Sequence, residues 1–155
     1  MEVLAALGHW PGAVLLKQSG TAYLLVNASH ILGIALLIGA ILPLDLRLLG
    51  FFRSVPVNVL PPVLSRIAAC GLGLALLTGA WLFTVRPVEY AGNAAFLWKL
   101  GLLALAFANI ALQHRSAAYG RALAGDITAA VRWRAAASVT LWPGVLLAGR
   151  WIGFL

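Results

Sequence analysis

Residues 22–44 read AYLLVNASHILGIALLIGAILPL. From Ala22 to Leu44 there is no Asp, Glu, Lys or Arg. A helix needs roughly 20 mainly apolar residues to cross the hydrocarbon of a bilayer, and this stretch meets that length. Three further stretches match it: about Ile67 to Val85, Ala94 to Gln113, and Ala135 to Leu155. The reading that follows is an all-α fold, a bundle of four transmembrane helices over residues 21–155, preceded by a short segment over 1–20. Asn93 is placed to cap the third span, because its side-chain oxygen can accept an orphan backbone N–H. Pro143 falls inside the fourth span and removes one backbone donor, which predicts a kink. Neighbouring helices can absorb that loss.

Composition supports the same reading. Of 155 residues, 63% are hydrophobic, against about 45–50% in soluble domains, and the mean hydropathy is +0.98. The only acidic residues are Glu2, Asp45, Glu89 and Asp126. So few charges cannot cover that much apolar surface in water, so lipid must be part of the solvent. The net charge of +7 does not point to nucleic acid, because the basic residues sit at helix ends rather than in one patch. Cys70 is alone, which excludes an intrachain disulfide and any Cys/His metal cluster. The amino terminus has no basic region, and Pro11-Gly12 interrupts it early, so signal cleavage is not expected.

Residues 2–18 are too short to span. Val3, Leu4, Leu7, Trp10, Val14 and Leu15 can form one apolar side, with Glu2, Lys17 and Gln18 in water, which predicts an interfacial helix or helix pair; the alternative is a disordered tail. The connections 45–66 and 115–134 hold Arg47, Arg53, Arg66, Arg115, Arg121, Arg132 and Arg134, against Lys17, Arg86, Lys99 and Arg150 on the other side. The positive-inside rule places the arginine-rich loops in the cytoplasm of a bacterial inner membrane, with both termini outside. Gly71, Ala75 and Gly79 recur at four-residue spacing, and Gly149 and Gly153 form GxxxG. Such positions let helices approach closely, within one chain or between chains.

Ionisable groups within a span need a reason. His30 lies about 12 Å below the outer end of the first helix, with Asn27 and Gly33 on the same face. A small residue beside an imidazole leaves room for a flat ligand, so His30 is the candidate metal or haem ligand, or a proton relay to a quinone. The structural alternative is a histidine bonded to a neighbouring helix. His114 is about 30 Å from the outer end of its helix, so the two differ by about 18 Å in depth and cannot share one iron. Lys99, Arg150 and Trp142 fall in the same outer half as His30. They form a candidate cofactor-binding set for haem propionates or a quinone head group, or else an aromatic belt with snorkelling cations. Asn109 and Gln113, one turn apart, are read as interhelical hydrogen-bonding residues, and Asp45 with Arg47 as a loop anchor.

His30-Ile31-Leu32-Gly33, Gly39-Ala40 and Asp45-Leu46-Arg47-Leu48-Leu49-Gly50, with Lys99, Ala106, Asn109, His114 and the ending Trp142 to Ile152, resemble an uncharacterised bacterial family of short four-span membrane proteins of unknown function. The likeness covers most of the chain. A looser likeness, a histidine followed by glycines in one span, reaches copper-resistance D proteins and membrane cytochromes of the b561 type. The latter use paired histidines at matched depth, which His30 lacks. Cu(I) wants soft sulfur ligands, and Met1 and Cys70 are the only sulfur residues. Three functions compete: a redox subunit binding haem b or quinone at His30, a non-enzymatic accessory subunit of a larger complex, and an oligomeric small-molecule or ion transporter. The expected partners are the bilayer and either a second copy of the chain or a larger membrane complex. No nucleophile and base stand at recognisable spacing.

Overall fold

The computed structural model describes residues 2–54, 56–57 and 60–154. Eight α-helices follow one another there: α1 (Glu2–Leu7), α2 (Pro11–Gln18), α3 (Gly20–Leu49), α4 (Leu60–Phe83), α5 (Pro87–Gly92), α6 (Ala94–His114), α7 (Ala117–Leu123) and α8 (Ala129–Trp151), with a closing 3-10 turn at Ile152–Phe154. Three of these, α3, α4 and α6, are long and apolar enough to cross a membrane. The 23-residue α8 is a fourth long helix, less apolar because Arg132, Arg134 and Arg150 lie within it.

The helix limits have local causes. Ser19 caps α3 by accepting from the Ala22 N–H at 3.2 Å. Asn93 caps α6 as expected, its Oδ1 accepting from the Phe96 N–H at 3.1 Å. The expected end of the first span near Leu44 is corrected to Leu49. Asp45 and Arg47 end the apolar run but not the backbone helix, which stops at Gly50 in the left-handed region, φ 107°. There the Gly50 and Phe51 N–H groups close back on Arg47 and Leu46 carbonyls, the glycine-terminated ending common in helices. The second span likewise starts at Leu60 rather than Ile67, since Ser65 and Arg66 continue it. The fourth begins at Ala129 rather than Ala135, and its expected end at Leu155 lies outside the described residues. Both α3 and α8 run through their interior prolines, Pro43 and Pro143.

The long helices pair in a row. α4 packs on α3, α3 on α8, and α8 on α6, while α4 and α6 make little backbone contact. One apolar core, with Leu37, Ala40, Ala68, Ala106 and Trp142, fills the middle. A second joins Leu44, Leu48, Val131 and Ala135 to Tyr119 and Ala122 of α7, so both arginine-rich connections lie at one end. At the opposite end Phe83, Tyr90 and Phe96 cluster, with Phe83 stacked on Phe96 at 5.3 Å between ring centres. These rings tie the end of α4 to the start of α6.

The α3–α4 contact is backbone on backbone. A Cβ at Gly71 would sit 2.6 Å from the Leu37 nitrogen, and one at Gly33 would sit 2.7 Å from the Ala75 nitrogen. Part of the glycine row on α4 therefore serves packing within the chain. Gly149 differs, since its nearest neighbour is the Lys99 side chain at 3.7 Å.

The amino-terminal segment forms two helices. Ala13 and Leu16 are the buried residues of α2, while Val3 is 80% exposed. Trp81 donates to the Gly12 carbonyl at 3.0 Å and Trp10 to the Thr84 hydroxyl at 3.0 Å, docking α2 on the end of α4. Lys17 turns back to donate to the Gly8 carbonyl.

Candidate functional site

His30 is half-buried on α3, against α4. Its Nδ1 is 3.1 Å from Thr78 Oγ1. Thr78 donates its single proton to the Leu74 carbonyl at 2.6 Å, so its oxygen can only accept from the ring. In the neutral imidazole this puts the proton on Nδ1 and leaves the lone pair on Nε2. The same inward N–H bond orients ligating histidines in metal sites. The ring lies over Gly79, where a Cβ would be 2.9 Å from Cε1.

The other expected residues divide. Lys99 is half-buried; its stem crosses Gly149, and its charge acts on the His30 ring. Asn27 is half-buried one turn before His30. Arg150 is exposed, its guanidinium 5.0 Å from the centre of the Phe154 ring. Gly33 does not leave room for a flat ligand, because the α4 backbone at Gly71 and Ala75 fills that space. Trp142 does not join the outer set. It is 1% exposed, packed in the central core, because α8 lies between α3 and α6 and turns this residue toward them. Trp98 and Trp151, at 73% and 60% exposure, face outward.

His114 stands at the other end of the molecule. Its Nδ1 donates to the Ile110 carbonyl at 3.1 Å, and its ring lies 5.0 Å from that of Tyr119. His9 is exposed on the amino-terminal segment. Among the described residues no group of three or more His, Cys, Asp or Glu could hold a metal ion.

A cavity of about 150 Å³ lies toward the arginine-rich end, between α4 and α6. Asp45, Gln113, Arg134, Ser138 and Trp142 line it. Asn109 donates to the Arg134 carbonyl at 3.0 Å, an interhelical bond of the kind expected. Arg134 donates to the Ser116 hydroxyl at 2.7 Å. Reading the sequence missed this grouping. Asp45 and Gln113 were visible as polar residues at span ends, but only the helix pairing shows that they face one another's cavity. At the opposite end an open groove is lined by Lys17, Tyr23, Arg86, Glu89 and Tyr90. Burial pushes the Tyr90 phenol up from its ordinary value, and neighbouring Tyr23 adds to this.

These features define a multi-pass helical membrane protein with an oriented histidine in one candidate span and a separate, mostly apolar cavity bordered by a few polar side chains. The chain belongs to the DUF6644 family, a family of unknown function whose model matches residues 9–155. No curated protein and no solved structure matches it.

Proposed function

We propose that the protein is a small membrane redox subunit in which His30 presents Nε2 to a haem b or a quinone shared with a second polypeptide. The single observation that supports this is the Thr78 hydroxyl, which engages Nδ1 and leaves Nε2 as the free ring atom. A haem fits this chain only in part. The described residues offer one histidine at this depth, and His114 lies at the far end. The close packing at Gly33 and Gly79 leaves no slot for a porphyrin between α3 and α4. Any haem would lie on the outer face of the row, with its second ligand from a partner. His30 would hold the group through Nε2, and Lys99 would offset an acidic edge. When bound, the group supplies one-electron chemistry; the chain supplies the ligand atom, its orientation and a cation. In the quinone version Nε2 would accept a hydrogen bond from a hydroxyl of the reduced ring, and Lys99 would donate to a carbonyl of the oxidised one.

On this reading α8 is a fourth span, enclosed by α3 and α6 and so less dependent on its own hydropathy. The arginine-rich connections face the cytoplasm and both termini lie outside. An absorption spectrum of the purified protein, before and after haem loading, tests the haem version. A Soret band that His30→Ala removes is expected, and its absence from the loaded wild type rejects haem. Labelling of α3 or α4 by a photoreactive quinone, lost in His30→Ala, then decides the quinone version.

An accessory subunit without a cofactor is the second reading. Gly39, Gly73 and Gly101 have nothing within 4 Å of where a side chain would begin, so three helices offer open backbone to another helix. Purification as a lone monodisperse species from native membranes would count against it.

A further inference from the structure

Asp45 is 4% exposed and Gln113 is 7% exposed. Both line the cavity between α4 and α6. Asp45 Oδ2 and Gln113 Oε1 are buried without a hydrogen-bond partner, and the Ser138 hydroxyl lies alongside the Asp45 carboxyl. Buried polar atoms are nearly always paired, and an orphan costs about 1–3 kcal/mol. Two orphaned acceptors lining one cavity call for a donor from outside the chain. Arg134 spends one N–H on Ser116 and the Asn109 amide bonds the Arg134 carbonyl, and no donor of the chain reaches either orphan.

Size, walls and charge narrow what that donor is. A cavity of about 150 Å³ is on the order of the space that takes a single benzene ring. Trp142 and Tyr119 supply aromatic walls, which favour a ring as occupant. Asp45 and Arg134 border the same cavity, so its lining does not single out a charged occupant of either sign. Access follows from the pairing of the helices. The aromatic cluster at Phe83 and Phe96 holds α4 and α6 together at one end, whereas toward the other end these helices stay apart. Ala69 and His114 are exposed at the cavity rim there.

We propose that this cavity is a binding site for a neutral single-ring phenol or hydroquinone whose hydroxyl donates to Asp45, with Gln113 as the second acceptor. The site is separate from His30, which lies about 22 Å away along α3 at ~1.5 Å per residue, and does not rest on the redox reading. The ring enters between α4 and α6, and the hydroxyl supplies the proton that the two acceptors lack.

Fluorine NMR of the full chain in lipid nanodiscs tests this, with para-fluorophenol as probe and para-fluoroanisole as its methyl ether, which has no donor. A saturable, protein-dependent shift is expected for the phenol. The ether should bind at least about tenfold more weakly, and so should the phenol to isosteric Asp45→Asn. Ala68→Phe, which fills the cavity, should abolish the shift. If Ala68→Phe fails to fold, Asp45→Asn and the phenol-to-ether comparison on the wild type carry the decision. Equal binding of phenol and ether overturns the proposal. So does a phenol shift that survives a folded Ala68→Phe, and so does no saturable shift at all, which would leave the cavity to water.

Discussion

Two glycines two residues apart on α4 have opposite roles. At Gly71 an added Cβ would meet backbone atoms at 2.6 and 2.7 Å, whereas at Gly73 it would meet nothing within 4 Å. Backbone cannot swing aside as a side-chain tip can, so Gly71→Ala must push α3 and α4 apart. Overpacking of this kind costs about 1–3 kcal/mol. Gly73→Ala should be neutral or slightly stabilising, since it removes backbone freedom without a clash. Reversible unfolding of both variants in mixed micelles checks the pair; equal losses would show that α3 and α4 do not approach as described. Thr78 admits a sharper test. Thr78→Val keeps the shape and removes the acceptor of the His30 proton. Nitrogen NMR of histidine-labelled protein should show the Nδ1–H tautomer in the wild type and a loss of that preference in the variant. Neither role was legible from composition, because Gly71 and Gly73 look alike until the facing backbone is known.

At the scale of elements, helix boundaries away from the arginine-rich end were more readable than those at it. Asn93 before an apolar run announced α6 correctly, because a cap is a local event between a side chain and a nearby N–H. Asn93 also reaches the Ile152 carbonyl at 3.5 Å, linking this cap to the close of α8. Asn93→Ala should cost about 1 kcal/mol of stability, seen as a lower midpoint in the same unfolding assay, while Asn93→Ser should recover most of it. Hydropathy misplaced the ends of α3 and α4 at the arginine-rich side. Asp45, Arg47, Ser65 and Arg66 interrupt the apolar run, but a helix continues through polar residues until a backbone feature such as Gly50 stops it. The same polar residues carry Asp45 into the cavity wall. The sequence showed its presence at the span end, while its burial depended on α8 bringing Ser138 alongside.

For the whole molecule, depth along each helix could be counted from the sequence, but direction around each helix could not. Depth arithmetic separated His30 from His114, and the structure keeps them at opposite ends. The arithmetic could not show that α8 sits between α3 and α6, and that order takes Trp142 out of the outer set and into the core. The order of the row also governs the orientation argument. Since α7 packs beneath α3 and α8, the ends of α3 and α6 share one side, so the positive-inside rule counts the arginines that follow them together. Cysteine labelling can test this directly. In a Cys70→Ser background, Ser54→Cys and Gly120→Cys should resist a membrane-impermeant maleimide in intact cells and react after permeabilisation. Glu89→Cys, exposed at the opposite end, should react before it. A reversed pattern would keep the row of helices and invert its orientation in the membrane. Labelling of Ser54→Cys and Gly120→Cys from opposite sides would be more damaging, because α4 and α6, the two long helices between these positions, could then not both cross, and the cavity between them would lose one wall.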